Sequence, residues 1–204
     1  MDLKQHWERV YTTKSDREVS WYREHLENSF RLILGTGVGK EASIIDVGGG
    51  SSTLVDDLLD NGFVDVAVLD VSSAALNRSK ERIGRRGEMV DWIDADITKA
   101  DLRPARFDLW HDRAVFHFLT DAHDRQRYVE TVSRSLKPGG HIIVASFGPD
   151  GPEKCSGLDV VRYSPESMHG VFGPGFDLIR SVSEVHETPF HTTQQFVYCY
   201  CRKM

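Results

Sequence analysis

A chain of 204 residues, 40% hydrophobic and 27% charged, is sized for one globular domain with an ordinary core and leaves no room for a second full domain. Its 31 acidic residues outnumber 25 lysines and arginines, a formal charge of −6 that weighs against a nucleic-acid backbone as the main partner. No run approaches the roughly 18 to 20 continuous apolar residues of a membrane span. The polar start "MDLKQHWERVYTTKSD" has no signal-peptide centre, and three cysteines, Cys155, Cys199 and Cys201, fit a reducing compartment, so a cytoplasmic protein with no membrane partner is expected.

Taken in chain order, "HWERVYTTKSDREVSWYREHLENSFRLIL" carries no strand signal and predicts two short helices with a loop near Lys14 to Arg17. This forms a helical cap over residues 1–42 on a core of residues 43–204, one domain in all. From Ser43 onward, short apolar runs alternate with amphipathic stretches, the signature of repeated βαβ units and a parallel sheet. "SIIDVG" is the first strand and "STLVDDLLDNG" the first helix, stopped at Asn61-Gly62. "VDVAVLDVS" follows, then the helix "SAALNRSKERIG", with Ser72 or Ser73 as N-cap and Gly84 as the stop. "MVDWIDADI", "FDLWHDRAV" and "GGHIIVASF" read as three more strands, the last preceded by a helix over Asp121 to Leu136 that "LKPGG" ends in a sharp turn. Gly148 to Pro165 and Met168 to Gly175 read as insertions. "GFDLIRSVSEVHETPF" and "TTQQFVYCYCRK" then pair antiparallel, with Cys199 and Cys201 on one face as ordinary packing residues. The fold class expected is α/β: a Rossmann-like, doubly wound, mostly parallel seven-stranded sheet with an antiparallel C-terminal hairpin.

Two glycine clusters compete as a ligand loop. "GTGVGK" resembles a phosphate loop, but Leu34 stands where such a loop needs its first glycine and Glu41 where it needs a hydroxyl, so it reads as a helix end and linker. "DVGGGSS" directly follows an apolar strand and opens an amphipathic helix, and Asp70 lies near the offset at which an acidic side chain meets ribose hydroxyls. A nucleoside-containing cofactor follows, with NAD and S-adenosylmethionine both open; Thr53, where a dinucleotide loop has its third small residue, favours a ligand without a pyrophosphate.

"IIDVGGGSSTLVDDLL", "VAVLDVS", "WIDADITKADL", "FDLWHDRAVFHFL" and "LKPGGHIIVASF" resemble, in order and spacing, the signature segments of class I S-adenosylmethionine-dependent methyltransferases over residues 43–147. "HWERVYTTKSDREVSWYREH" is similar to the entry segment of the subset holding thiopurine-type and protein lysine methyltransferases. The resemblance implies that Gly48, Gly49 and Gly50 lie under the methionine part, that Asp70 accepts from the ribose hydroxyls, and that Val71 packs on the adenine. It likewise implies that Asp96 and the Ile97 N–H read the adenine edge, that Asp112 and Arg113 line the methionine and methyl-donor region, and that Trp7, Tyr11 and Trp21 close over the cofactor. Asp46 would organise the loop backbone.

Methyl transfer from a sulfonium is an in-line displacement that needs alignment, exclusion of water and, for a protonated acceptor, a base. His117, directly after the fourth strand, is the expected base, with Asp112 beside it. His111, Cys155, Arg162, His186, His191 and Gln195 are candidates for the acceptor pocket, and no metal pattern is present. The acceptor expected is a small-molecule nucleophile, with a thiol as one candidate. Protein lysine methylation is the alternative, because "HDRAVFHFL" replaces the acidic and aromatic signature of that group, and a non-catalytic binding protein is the second.

Overall fold

The computed structural model describes residues 2–204. Helices α1 (Leu3–Thr13) and α2 (Glu27–Gly35) form the cap, joined by an extended segment with one 3-10 turn at Asp16–Glu18. The Asp2 carboxylate starts α1 by accepting the Lys4 and Gln5 N–H groups, which have no acceptor inside the helix. The core runs β1 (Ser43–Val47), α3 (Leu54–Asp60), β2 (Asp65–Asp70), α4 (Ser73–Ile83), β3 (Val90–Asp94), β4 (Phe107–Arg113), α5 (Ala122–Ser135) and β5 (Leu136–Phe147). A small hairpin of β6 (Lys154–Cys155) and β7 (Leu158–Asp159) follows, then α6 (Pro165–Phe172), β8 (Phe176–Glu187) and β9 (Thr193–Lys203).

The seven long strands lie in the order β3-β2-β1-β4-β5-β9-β8. The first five are parallel, and β9 runs antiparallel to both of its neighbours. Because helices cover both faces, β1 is buried at every residue, and Ile44 and Ile45 stand side by side in its sequence rather than alternating with polar residues. Two apolar layers result. Ile45, Val47, Trp110, Val132 and Cys199 pack on one side of the sheet, and Ile44, Leu54, Leu58, Val68 and Tyr198 on the other. Ser72 caps α4 through the Ala75 N–H, and Gly84 ends it with a positive φ of 63°.

Three local expectations change. Met168 to Gly175 is not an irregular insertion: α6 occupies its first half, started by Ser164, whose hydroxyl accepts the Ser167 N–H, and by Pro165 at the first helical position. Met168 and Phe172, four residues apart, are its buried side, and Phe172 stacks on Phe116 at 5.5 Å. "LKPGG" is not a detached turn, since β5 already begins at Leu136 and absorbs the glycines, with a register shift against β4. The third strand stops at Asp94, which leaves Asp96 and Ile97 in the loop beyond it. Cys199 and Cys201 are unpaired, buried neighbours with sulfurs 3.3 Å apart, and their mutual hydrogen bond and burial raise the Cys199 pKa.

The two glycine clusters differ in what surrounds them. A Cβ at Gly35 would meet nothing within 4 Å, whereas one at Gly50 would lie 2.4 Å from the Ala75 Cβ and 2.5 Å from an Asp70 oxygen. Behind β4, the Tyr128 hydroxyl donates to Asp112 at 2.7 Å and accepts from the Trp110 indole at 3.0 Å, all three groups buried.

Two measurements test this packing. In urea denaturation, Gly50→Ala lowers stability by about 1–3 kcal/mol through overpacking, while Gly35→Ala leaves it unchanged or raises it by about 0.4–1 kcal/mol through the unfolded chain. Tyr128→Phe strands two buried polar groups and lowers the midpoint by about 1–3 kcal/mol, with an unaltered slope.

Candidate active site

The loop after β1 turns sharply at Gly48, whose φ is 71° and whose N–H donates to the Leu69 carbonyl at 2.6 Å. A side chain there would also run into Val115, so both backbone conformation and space call for glycine. At the end of β2, Asp70 is 6% exposed. Its two oxygens accept the Gly50 N–H at 3.0 Å and the Ser72 N–H at 2.8 Å. Burial pushes its pKa up to about 6; the backbone donors oppose this, and the charges of Asp46 and Glu8 add to it.

A cavity of about 830 Å³, its open mouth included, lies between these loops and the inner side of α1. Asp70, Val71, Asp96 and Ile97 line one end; Arg113, Val115, Phe118 and Cys155 line the other; Leu3, Trp7, Tyr11 and Trp21 form the roof. Trp7 stands edge-on to Trp21 at 5.6 Å and to Phe118 at 5.1 Å between ring centres. A second, adjoining cavity is lined by Arg23, Asp46, Gly49, Ser51 to Thr53 and His111, and it shares Gly48, Trp21 and Arg113 with the first. The Asp96 carboxylate accepts from the Thr98 N–H and hydroxyl and from Lys99; burial works to raise its pKa, and these bonds outweigh it and hold the pKa below the usual range.

The expected base lies elsewhere. His117 is fully buried between Phe118 and Phe147, accepts the Phe147 N–H at Nδ1, and is absent from the cavity lining. Burial, with help from the Arg113 charge, lowers its pKa to about 3, so the ring is neutral. Asp112 is equally enclosed: burial raises its pKa to about 6 against the Tyr128 hydroxyl and the Val115 and Phe116 N–H groups that it accepts. Its place is behind the strand, where it orders the turn that carries Arg113 to Val115.

The acceptor-pocket candidates divide. Cys155 lines the cavity, and burial pushes its thiol up to about 12 despite a Ser20 hydrogen bond and the Arg113 charge, so it stays protonated. His111 is sealed between the Asp46 carboxylate at 2.7 Å and the Ser29 hydroxyl at 2.8 Å, at the floor of the second cavity. His186 accepts from Arg23 at Nδ1 and donates from Nε2 to the Ser20 carbonyl, so it pins the segment that holds Trp21. Arg162 braces the loop after β5 through the Pro149 and Gly151 carbonyls and Glu153; Gln195 ties the same loop at Asp150; His191 sits exposed on the β8–β9 turn. None of these three lines either cavity.

Leu3, Val115 and Phe118 are lining residues that the sequence reading did not single out. Leu3 was within reach of it, since Leu3, Trp7 and Tyr11 recur every four residues and therefore share one face of a helix. Among the described residues, Arg113 is the single cation lining the larger cavity. A buried carboxylate for hydroxyl donors, apolar walls for a base and aromatic rings for a positive centre suit a phosphate-free nucleoside sulfonium.

The model of a methyltransferase domain matches residues 45–144. Among curated proteins, the chain is 26% identical over 148 residues to the mouse eEF1A lysine and N-terminal methyltransferase, which covers 70% of this chain and 21% of that protein. It therefore spans about a fifth of that relative's length. Among solved structures, it is similar, with a TM-score of 0.80 at 16% identity over 98% of this chain and 92% of the other, to one concerned with conversion of a disulfide bond into a thioacetal group during echinomycin biosynthesis. It is also similar, with a TM-score of 0.75 at 17% identity over 99% of each chain, to the N-methyltransferase NodS of Bradyrhizobium japonicum in complex with S-adenosylhomocysteine. Among the described residues no helix is long and apolar enough to cross a membrane. Residues 45–144 thus match a methyltransferase domain, and the sheet order and cavity chemistry of the chain are those expected of the S-adenosylmethionine-dependent fold.

Proposed function

We propose that this chain transfers the methyl group of S-adenosylmethionine to a small molecule whose acceptor atom arrives unprotonated, a thiolate being the type. The observation that carries this reading is the charge of the cavity end facing away from Asp70 and Asp96. It holds the Arg113 guanidinium and a neutral Cys155, and no carboxylate or accessible histidine among its described residues. One nitrogen of Arg113 is buried without a partner, and its other bonds, to the Trp21 carbonyl and the Tyr198 hydroxyl, are long at 3.3 Å. The nearby Glu184 is already paired with Arg23 at 3.1 Å. Glu184 thus faces two guanidinium groups, while the Asp46 carboxylate of the adjoining cavity is bonded to His111, and an ammonium acceptor at this end of the larger cavity would meet positive charge with no lining group there to take its proton.

The bound cofactor supplies an electrophilic methyl group on a positively charged sulfur. Asp70 accepts the ribose hydroxyls, Val71 and Ile97 flank the adenine, Asp96 accepts from its amine, and the Gly48 to Gly50 backbone underlies the methionine part. Trp7, Trp21 and Phe118 exclude water and offer ring faces to the sulfonium charge. Arg113 holds the acceptor's negative charge beside the methyl group, so the displacement joins opposite charges and needs no general base. Methylation of a protein lysine is the second reading, favoured by the likeness to the eEF1A methyltransferase.

S-adenosylhomocysteine raises the melting temperature and NADH does not, and Asp70→Ala removes the shift. The ionised Asp70 is the form that accepts hydroxyl donors, so affinity for S-adenosylhomocysteine is constant above its pKa of about 6 and falls, by up to about tenfold per pH unit, as pH drops below it. Calorimetry between pH 5 and pH 8 reads this directly; a flat profile removes Asp70 from the ribose site. Labelled S-adenosylmethionine offered to separate pools of thiols, amines and cell protein marks the thiols, and label confined to a protein band selects the lysine reading instead.

A further inference from the structure

We propose that Glu8 is a positioning residue: it latches α1 shut across the cofactor cavity, and breaking that latch limits cofactor uptake and release. Helix α1 roofs the cavity with Leu3, Trp7 and Tyr11. From the same helix Glu8 reaches the start of α4, where Oε1 accepts the Ser73 N–H at 2.7 Å and Oε2 accepts the Ala74 N–H at 3.1 Å and the Ser72 hydroxyl at 3.2 Å. These N–H groups have no acceptor inside α4, and the positive end of the helix dipole favours an anion there. Helix α4 has no acidic residue in its own first turn, so α1 supplies the missing charge from another element.

Other polar ties of the roof are single bonds, His6 to the Ser156 hydroxyl at 3.4 Å and Arg78 to the Lys14 carbonyl, beside the ring contacts of Trp7 with Trp21 and Phe118 and of Tyr11 with Trp21. Val10 and Tyr11 are the buried residues of α1. The Lys4–Asp94 pair, at 2.6 Å, is nearly half exposed on both sides and contributes little in water. The turn that Glu8 grips is also the turn that feeds Asp70, because the Ser72 N–H donates to the Asp70 carboxylate. Closing the roof and setting the ribose-side carboxylate therefore share Ser72, whose hydroxyl bonds Glu8 and whose N–H bonds Asp70. With these bonds made, Trp7 is held over the cavity and narrows the way out for a nucleoside beneath it.

The latch rests on the cofactor assignment and not on the identity of the methyl acceptor, so its test uses the S-adenosylhomocysteine complex alone. Release is followed by stopped-flow tryptophan fluorescence, with Trp7 and Trp21 as reporters. Losing charge-assisted hydrogen bonds, Glu8→Ala releases the ligand about tenfold faster or more and takes it up faster as well, so that Kd rises by less than the release rate. Glu8→Gln falls between it and the wild type, and Lys4→Ala changes release by less than about threefold. Wild-type release from folded Glu8→Ala, or an equal effect of Lys4→Ala, overturns the proposal; should Glu8→Ala fail to fold, an unchanged rate in Glu8→Gln does so. A wild-type protein that does not bind S-adenosylhomocysteine at all removes the cofactor assignment, and the latch with it.

Discussion

Placing a carboxylate at the end of an interior strand, shut off from water, carries a desolvation cost that only well-aimed donors offset. Asp70 meets that requirement with two backbone N–H groups, one from the loop after β1 and one from the turn before α4. Both donors come close because Gly50 has no Cβ and because Ala75, on the facing helix, is small. The hydroxyl of Ser79 then holds the Gly50 carbonyl at 2.6 Å, which fixes the same glycine from its other side. Loop, strand end and helix start are thus one unit built around a single charge. Through Glu8, the cap helix α1 is fastened to that unit.

The parallel core is readable in the chain because strands covered on both faces carry adjacent apolar residues, such as Ile44 and Ile45, and glycine or a capping serine marks their ends. The two glycine clusters separate for the same kind of reason: only "DVGGGSS" has a strand before it and a helix after it. Legibility fails where a side chain's direction decides its role. In "FDLWHDRAV" there is no alternation to tell front from back, and the structure turns Asp112 toward Tyr128 and sends His111 to Asp46 and Ser29. His117 lies one short 3-10 turn further on, and that turn faces it into the Phe147 layer. Helix α6 was concealed by its glycines and prolines, although Ser164-Pro165 is an ordinary helix start. Glu8 could not be found locally, since its partners lie more than sixty residues away.

A second group of polar contacts sets the acceptor end. Arg23 bonds Glu184 and His186, His186 bonds the Ser20 carbonyl, and Gln194 bonds the Ser20 hydroxyl. Burial, and the Arg113 and Arg23 charges, keep His186 neutral, which lets one ring nitrogen donate and the other accept. The consequence is a rigid Ser20 to Arg23 segment, with Trp21 aimed into the cavity and its carbonyl toward Arg113. The chemistry of the site is therefore set less by acid–base groups than by charge balance and shape, as expected where alignment dominates the rate.

The strand order has a further effect, on the growing chain. On the ribosome, β1 to β5 can pair as they emerge, since each new strand meets one already made. The outer edge of β5 finds its partner only when β9 arrives, Ile143 waiting for Tyr200 and Ala145 for Tyr198. For that interval the nascent protein displays an open row of backbone donors and acceptors on a strongly apolar strand, the form most apt to pair with another chain. Synthesis and chaperone protection of this protein thus have their period of greatest exposure between the translation of the fifth strand and that of the ninth.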